Sequence, residues 1–289
     1  MKVTSLLDNV SDRPELACEH GLSLYIEADG KKILFDMGHT RIFAENAEKL
    51  GVDLSAVDFA VVSHGHWDHG GGIPYFLEIN PTAPVYLSRW GFDPYYDEKS
   101  GDYAGLDTAL RENPRIVLIG DELTLTPHMF LCSCNGRERR DPFGSFGLTS
   151  RRGGVTQPDD FRHEQYLVIE EDGKRVVVSG CSHKGILNIL DWLKPDVLIG
   201  GFHFMMMEPG PELDRYADAL ERSGVTFYTG HCTGQKQFEA MQARLSRTRY
   251  LATGESIMTL GWRKAKKLFA ARLCRAAKQH SCLAIYSLQ

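Results

Sequence analysis

The sequence predicts an α/β fold of four layers, two β-sheets packed face to face with helices on both outer faces. Two observations lead there. Two stretches, 22–88 and 165–245, each pass from paired strands into strand–helix units. Sheets built in this order bury one face against each other and the other under helices. Histidines also fall where apolar strands end, which is where α/β sheets carry their sites.

The elements read in order as follows. "LSLYIEAD" (22–29) and "KKILFDMG" (31–38) are strands joined at Asp29-Gly30, a hairpin turn pair. Residues 40–51 form a helix stopped by Gly51. "VDFAVVS" (57–63) is a buried strand, 71–80 a short helix with Pro74 in its first turn, and 84–88 another strand. Residues 89–114, rich in Gly, Asp, Tyr and Pro, read as a loop or lid. Residues 115–132 hold three short strands. Residues 135–162 read as one long polar loop carrying Arg137, Arg139, Arg140, Arg151, Arg152 and Arg162. Order returns as strand–turn–strand over 164–180 around Asp172-Gly173. Helices follow at 184–193, 211–223 and 234–245, alternating with strands at 196–201 and 225–230. A last strand is expected at 256–260.

Composition narrows the class. The 289 residues are 43% hydrophobic and 25% charged, as in ordinary globular chains. No apolar run approaches a membrane span, and the N-terminus lacks the apolar core of a signal peptide. Seven cysteines without CxxC modules favour a reducing compartment, the cytoplasm. A net charge of −5 argues against a general nucleic-acid surface. Residues 262–289 break the balance with seven Lys/Arg and no acid. Trp262, Ala265, Phe269, Leu273 and Ala276 recur there at helical spacing, so a basic amphipathic tail is expected after a main domain of residues 1–261.

The stretch "AVVSHGHWDHGGG" (60–72) carries the chemistry. Side chains two apart in an extended segment point the same way, so His64 and His66 can grip one ion. A turn at Trp67 swings Asp68 and His69 to a second place beside it. Imidazoles with a carboxylate suit zinc and its neighbours. A chance H-x-H-x-D-H is expected on the order of once per thousand chains of this composition. Gly70, Gly71 and Gly72 allow close backbone approach. Further donors are expected at other strand ends: His183 in "GCSHKG", His203 in "GGFHF" and His231 in "GHCTG".

Together "LFDMG", "SHGHWDHGGG", "GCSHKG" and "GHCTG", in this order over roughly residues 1–261, resemble the metallo-β-lactamase superfamily. The wording is most similar to the branch labelled metal-dependent hydrolase or dihydropterin–aminobenzene ribofuranosyl phosphate synthase. The resemblance implies an αββα sandwich with two divalent ions at one edge, zinc first, with manganese or iron as alternatives. It implies that His64, His66 and His183 hold one ion, that Asp68, His69 and His231 hold the other, and that Asp36 orients a ligand from behind. Many relatives bridge their ions with an aspartate, whereas here that slot reads "GGFHF". Asp196 is expected at the far end of its strand, and His203 is expected to face substrate. Cys181 and Cys232 are able to supply thiolates but read as small buried neighbours of the site.

Two such ions make hydroxide available near neutral pH and polarise the bond under attack, with Asp68 positioning the nucleophile. Hydrolysis of a small anionic substrate, phosphorylated ones included, is therefore the expected reaction; the loop arginines read either as a solvated charged loop or as a grip on the anion. Phe92, Tyr95, Tyr96 and Tyr103 read either as a stacking surface for a flat ring or as packing of the lid on the domain. The alternatives are a pterin-type condensation and a non-catalytic metal-binding protein. Relatives with a diiron redox centre have Glu where His66 stands, which disfavours electron transfer.

Overall fold

The structure, a computed structural model, describes residues 1–258. The basic segment expected as a helix at 262–289 lies outside them, as do the last two residues of the strand expected at 256–260. The strands are β1 (Lys2–Leu7), β2 (Ser23–Ala28), β3 (Lys31–Phe35), β4 (Phe59–Val61), β5 (Val85–Ser88), β6 (Tyr95–Asp97), β7 (Ile116–Ile119), β8 (Glu122–Thr126) and β9 (Met129–Cys132). They continue as β10 (Leu148–Arg152), β11 (Val155–Pro158), β12 (Tyr166–Glu171), β13 (Lys174–Val178), β14 (Val197–Ile199), β15 (Thr226–Thr229), β16 (Thr248–Tyr250) and β17 (Ser256–Met258). The helices are α1 (Ile42–Lys49), α2 (Trp67–Gly70), α3 (Ile73–Ile79), α4 (Ile186–Leu193), α5 (Pro211–Ser223) and α6 (Gln235–Met241).

Two seven-stranded sheets form, in the orders β17-β1-β2-β3-β4-β5-β7 and β16-β15-β14-β13-β12-β9-β8. Each joins an antiparallel part to a parallel one, β3-β4-β5-β7 in the first and β13-β14-β15-β16 in the second. The side-chain period of two sorts the layers. Ile33 and Phe35 face inward with Leu24, Ile26, Leu167, Ile169, Val176 and Val178, making the core between the sheets. Leu34, Ala60 and Val62 face outward under Phe43, Ala47, Ile73 and Phe76 of α1 and α3. Val168, Val177 and Leu198 face the other way, under Ile189, Leu213, Tyr216 and Met241 of α4–α6. Each fully buried aliphatic side chain contributes about 1.5–3 kcal/mol, so a one-residue register slip would cost a whole face. The αββα expectation holds.

Local turn chemistry explains both hairpins. Asp29 and Gly30 have φ of 49° and 69°, and Asp172 and Gly173 have 53° and 70°, the left-handed pair that a two-residue hairpin needs. At Gly72 a Cβ would collide with the Met37 carbonyl, which is why the chain after the histidine cluster can lie against the β3 end.

Three expectations need correction. β1 and β16 were not foreseen, although β1 pairs with both β2 and β17. Its sequence KVTSLL is buried almost throughout, so it shows no alternation. The segments 89–114 and 135–162 are not simple loops. They supply β6 and the β10–β11 hairpin, which pair into a third, three-stranded sheet. Finally, two of the loop arginines are structural. Arg152 makes a two-pronged bond to Asp160 at 2.8 Å on each arm, and Arg162 binds the same carboxylate at 2.8 Å.

Burial disfavours a charged Asp160, but the two guanidinium groups outweigh it and hold its carboxyl well below the usual range. A depressed carboxyl contributes stability above its ordinary pKa of about 4 and loses it as pH falls below that. Because the pair is half-exposed, Asp160→Asn is expected to cost only about 1–2 kcal/mol at pH 7. Thermal melts of both proteins should show the Tm gap shrinking below about pH 4; a gap that grows in acid would contradict this account.

Candidate metal centre

The C-terminal ends of the parallel strands meet at one edge of the sandwich, and the predicted donors stand there. Asp36 follows β3, His64 and His66 follow β4, and α2 carries Asp68 and His69. His183 follows β13, His203 follows β14 and His231 follows β15. All are buried. Asp196 sits at the opposite end of its strand, where it accepts the Arg175 N–H at 2.8 Å.

The donors fall into two adjacent triads. In the first, His64 Nε2 and His183 Nε2 lie 3.2 Å apart, and donor atoms of His64, His66 and His183 all lie within 4.8 Å of one another. His66 Nε2 is buried with no hydrogen-bond partner; Asp159 Oδ2, at 3.8 Å, is too far to serve. In the second, Asp68 Oδ2 is 3.5 Å from His69 Nε2 and 3.3 Å from His231 Nε2, and the two ring nitrogens are 3.1 Å apart.

The surrounding hydrogen bonds set the tautomers. Asp36 accepts from the Ser63 N–H, the Ser63 hydroxyl and His69 Nδ1, each at 2.7 Å. The Ser63 proton being spent on Asp36, His64 Nδ1 donates to Ser63 Oγ at 2.8 Å. His231 Nδ1 donates to Asn9 Oδ1 at 2.9 Å, and the Gly21 N–H on the same oxygen fixes the amide's orientation. The Nε2 atoms of His64, His69 and His231 therefore point into the site. Burial pushes His231 down to about 4 and His203 down to about 3, so both are neutral imidazoles at neutral pH. Burial works against a charged His69 too, but Asp68 and Asp36 outweigh it and raise its pKa well above the ordinary value. The cluster thus calls for positive charge between His69, His231 and Asp68. A divalent cation meets that demand with the donors already aimed, so these residues fit a metal.

Other groups hold the donors in place. The Gly65 N–H donates to His163 Nδ1 at 2.8 Å, and His163 Nε2 donates to Asp159 at 3.0 Å. Glu164 accepts the backbone N–H groups of His183 and Lys184 at 2.7 and 3.1 Å. Asp8 accepts the His231 N–H at 2.7 Å. His20 Nε2 lies 3.3 Å from Asp68 Oδ2. The sequence reading missed His20, His163, Glu164, Asp8 and Asn9. The only signal was proximity in sequence, as His163-Glu164 lies just before β12. Asp36→Asn should leave the His69 ring unoriented and weaken metal affinity about 10–100-fold, readable by competition with a chromophoric chelator; unchanged affinity would remove Asp36 from this role.

A cleft of about 390 Å³ opens on the triads. His66, Asp68, His183, His203 and His231 form its floor, and Trp67, Tyr103, Phe146, Met205 and Met206 its walls. His203 packs its ring 4.2 Å from His183 and leaves Nδ1 without a partner. None of the six loop arginines is among the residues lining the cleft. Of the four aromatics weighed as a stacking surface, Tyr103 alone lines it. Tyr95 is buried, donates to the Trp90 carbonyl at 2.6 Å and stacks on His163 at 4.0 Å. Phe92 lies in the outer core and Tyr96 in a neighbouring groove.

An αββα sandwich with clustered histidines and aspartates at its strand ends defines a class of metal-binding proteins. The chain belongs to the metallo-beta-lactamase superfamily, whose family model matches residues 17–219. It is 31% identical over 245 residues to the 7,8-dihydropterin-6-methyl-4-(beta-D-ribofuranosyl)-aminobenzene-5'-phosphate synthase of Methanocaldococcus jannaschii, covering 75% of this chain and 82% of that one. An uncharacterized protein of the same organism is 26% identical over 80% of this chain and 90% of its own. Among solved structures, Tm1679, described as a metal-dependent hydrolase of the beta-lactamase superfamily, superposes with a TM-score of 0.76 at 29% identity, over 90% of this chain and 99% of that one. The superfamily implies divalent-metal binding. No helix among the described residues is long and apolar enough to cross a membrane.

Proposed function

We propose that this chain is a dinuclear metal-dependent hydrolase acting on a small anionic substrate, a phosphorylated one included. The observation that carries the reading is the pair of adjacent triads, with Nε2 atoms and Asp68 Oδ2 converging at the cleft floor. His64, His66 and His183 would hold one ion and Asp68, His69 and His231 the other, zinc first and manganese or iron next. Divalent ions bound there would lower the pKa of a water and polarise the bond under attack. Asp68 Oδ2 is placed to hold a proton donor at the cleft floor, and Asp36 keeps the His69 ring in register. His203 faces the cleft beside His183 and is placed to contact substrate. Trp67, Tyr103 and Phe146 exclude water from an apolar portion of it. Without arginines in the cleft, substrate charge would be met by the ions themselves. We place the catalytic unit in residues 1–261, and its odd cysteine count supports action in a reducing compartment such as the cytoplasm.

The Methanocaldococcus jannaschii synthase, 31% identical, favours a second reading, condensation onto a dihydropterin donor. A panel decides: phosphomonoester, phosphodiester, lactone, thioester and β-lactam, offered to zinc- and manganese-loaded protein, with a dihydropterin diphosphate offered in parallel. Turnover of one ester class supports the hydrolase. Silence on every ester together with diphosphate release from the pterin overturns it in favour of the synthase.

A further inference from the structure

The six proposed ligands bring one negative charge, that of Asp68, to a buried place meant for two divalent ions. Buried charge that is not compensated is costly, so another anionic donor is expected at the centre of the cluster. One side chain stands there. Cys181 is 2% exposed, and its Sγ lies 3.1 Å from His69 Nε2. Its sulfur falls within 4.8 Å of donor atoms of His64 and His69, of His183 and His203, and of His231 and Cys232. It therefore reaches both triads at once.

The turn that carries Cys181 is rigid. It follows β13 through Gly180, where a Cβ would strike the Ser63 side chain. Next comes Ser182, at φ 59°, whose hydroxyl donates to the Gly201 carbonyl at 2.7 Å. One neighbouring atom independently points to a ligand: His203 Nδ1 is buried without a hydrogen-bond partner, and His203 joins Cys181 and His183 in one donor cluster. Cys232 is different. Its Sγ lies 3.6 Å from the Cys181 carbonyl, and the residue lines the cleft with His231, on the side of the second triad.

We propose that Cys181 is a seventh metal ligand, its sulfur shared between the two ion positions. The inference rests on the two-metal reading above. On coordination the S–H bond breaks, the sulfur keeps the electron pair as the donor to the metal, and the proton leaves to solvent. No oxidant or reductant takes part.

The test uses cobalt(II) on the full-length protein in reducing, anaerobic buffer. Wild type is expected to bind two cobalt ions by equilibrium dialysis and to show a near-ultraviolet sulfur-to-cobalt charge-transfer band. Cys181→Ser should abolish the band and weaken cobalt affinity at least ~100-fold, more than the loss of an outer partner. Cys232→Ser should keep the band. Two bound cobalt ions without a band, or a band that survives in Cys181→Ser, would overturn the proposal while leaving the two-metal reading intact. Wild type that binds no cobalt would overturn both. If Cys181→Ser does not fold, X-ray absorption at the cobalt edge of wild type decides: a sulfur scatterer supports the ligand, and nitrogen and oxygen alone refute it.

Discussion

Asp68→Asn is expected to lower kcat/KM about 10²–10³-fold on whichever ester class the protein turns over, the magnitude typical of removing one preorganised group from a polar active site. The carboxylate is the one anion in its triad. Its Oδ2 faces His69 and His231, and His20 at the rim, all within 3.5 Å. An amide keeps the shape but removes the charge that offsets a cation, and its N–H₂ would point hydrogens at donors. The variant should still fold, because Asp36 continues to hold the His69 ring at 2.7 Å, and circular dichroism checks it. Its second ion should be the weaker one by isothermal titration. Full activity in a correctly folded Asp68→Asn protein would remove Asp68 from the chemistry.

The second large effect is on stability. Lys184 is 1% exposed, and its ammonium donates to the Ser133 carbonyl at 2.6 Å, Asn135 Oδ1 at 2.9 Å and the Glu164 carbonyl at 2.9 Å. Burial pulls its pKa down to about 8, against the attraction of Glu164, so it is charged at neutral pH. The Glu164 carboxylate in turn takes the Tyr166 hydroxyl at 2.6 Å and the backbone of the His183 turn. Lys184→Met fills the space but leaves three acceptors unpaired and Glu164 without its cation. The expected cost is about 3–5 kcal/mol, or roughly 10 °C in Tm for a chain of this size. Calorimetry checks it. A Tm within a degree or two of wild type would mean that water replaces the ammonium.

These two residues show how differently the sequence exposes its content. Asp68 was legible because four metal donors in six residues have no ordinary structural explanation. The hairpins at Asp29-Gly30 and Asp172-Gly173 were legible because a left-handed residue pair has its own chemistry. The sandwich was legible because paired strands passing into strand–helix units recur over 22–88 and 165–245. In each case the interaction that matters is local, or repeats with a short period.

Lys184 was not legible, since a lysine after a histidine reads as surface until its acceptors at 133, 135 and 164 fold around it. The same holds for His231, whose orientation depends on Asn9, 222 residues away. The arginines and tyrosines of 89–162 stayed ambiguous for the complementary reason. Their composition suggests a binding loop, but Asp160 and His163 claim Arg152, Arg162 and Tyr95 for the third sheet. The sequence by itself determined the layers, the turns and the candidate metal donors, because periodicity, turn chemistry and ligand spacing act over a few residues. Tertiary structure alone decided which ring nitrogens face inward, which charges are spent on each other and which side chains reach the cleft, because those depend on partners that only the closed sandwich brings within hydrogen-bond distance.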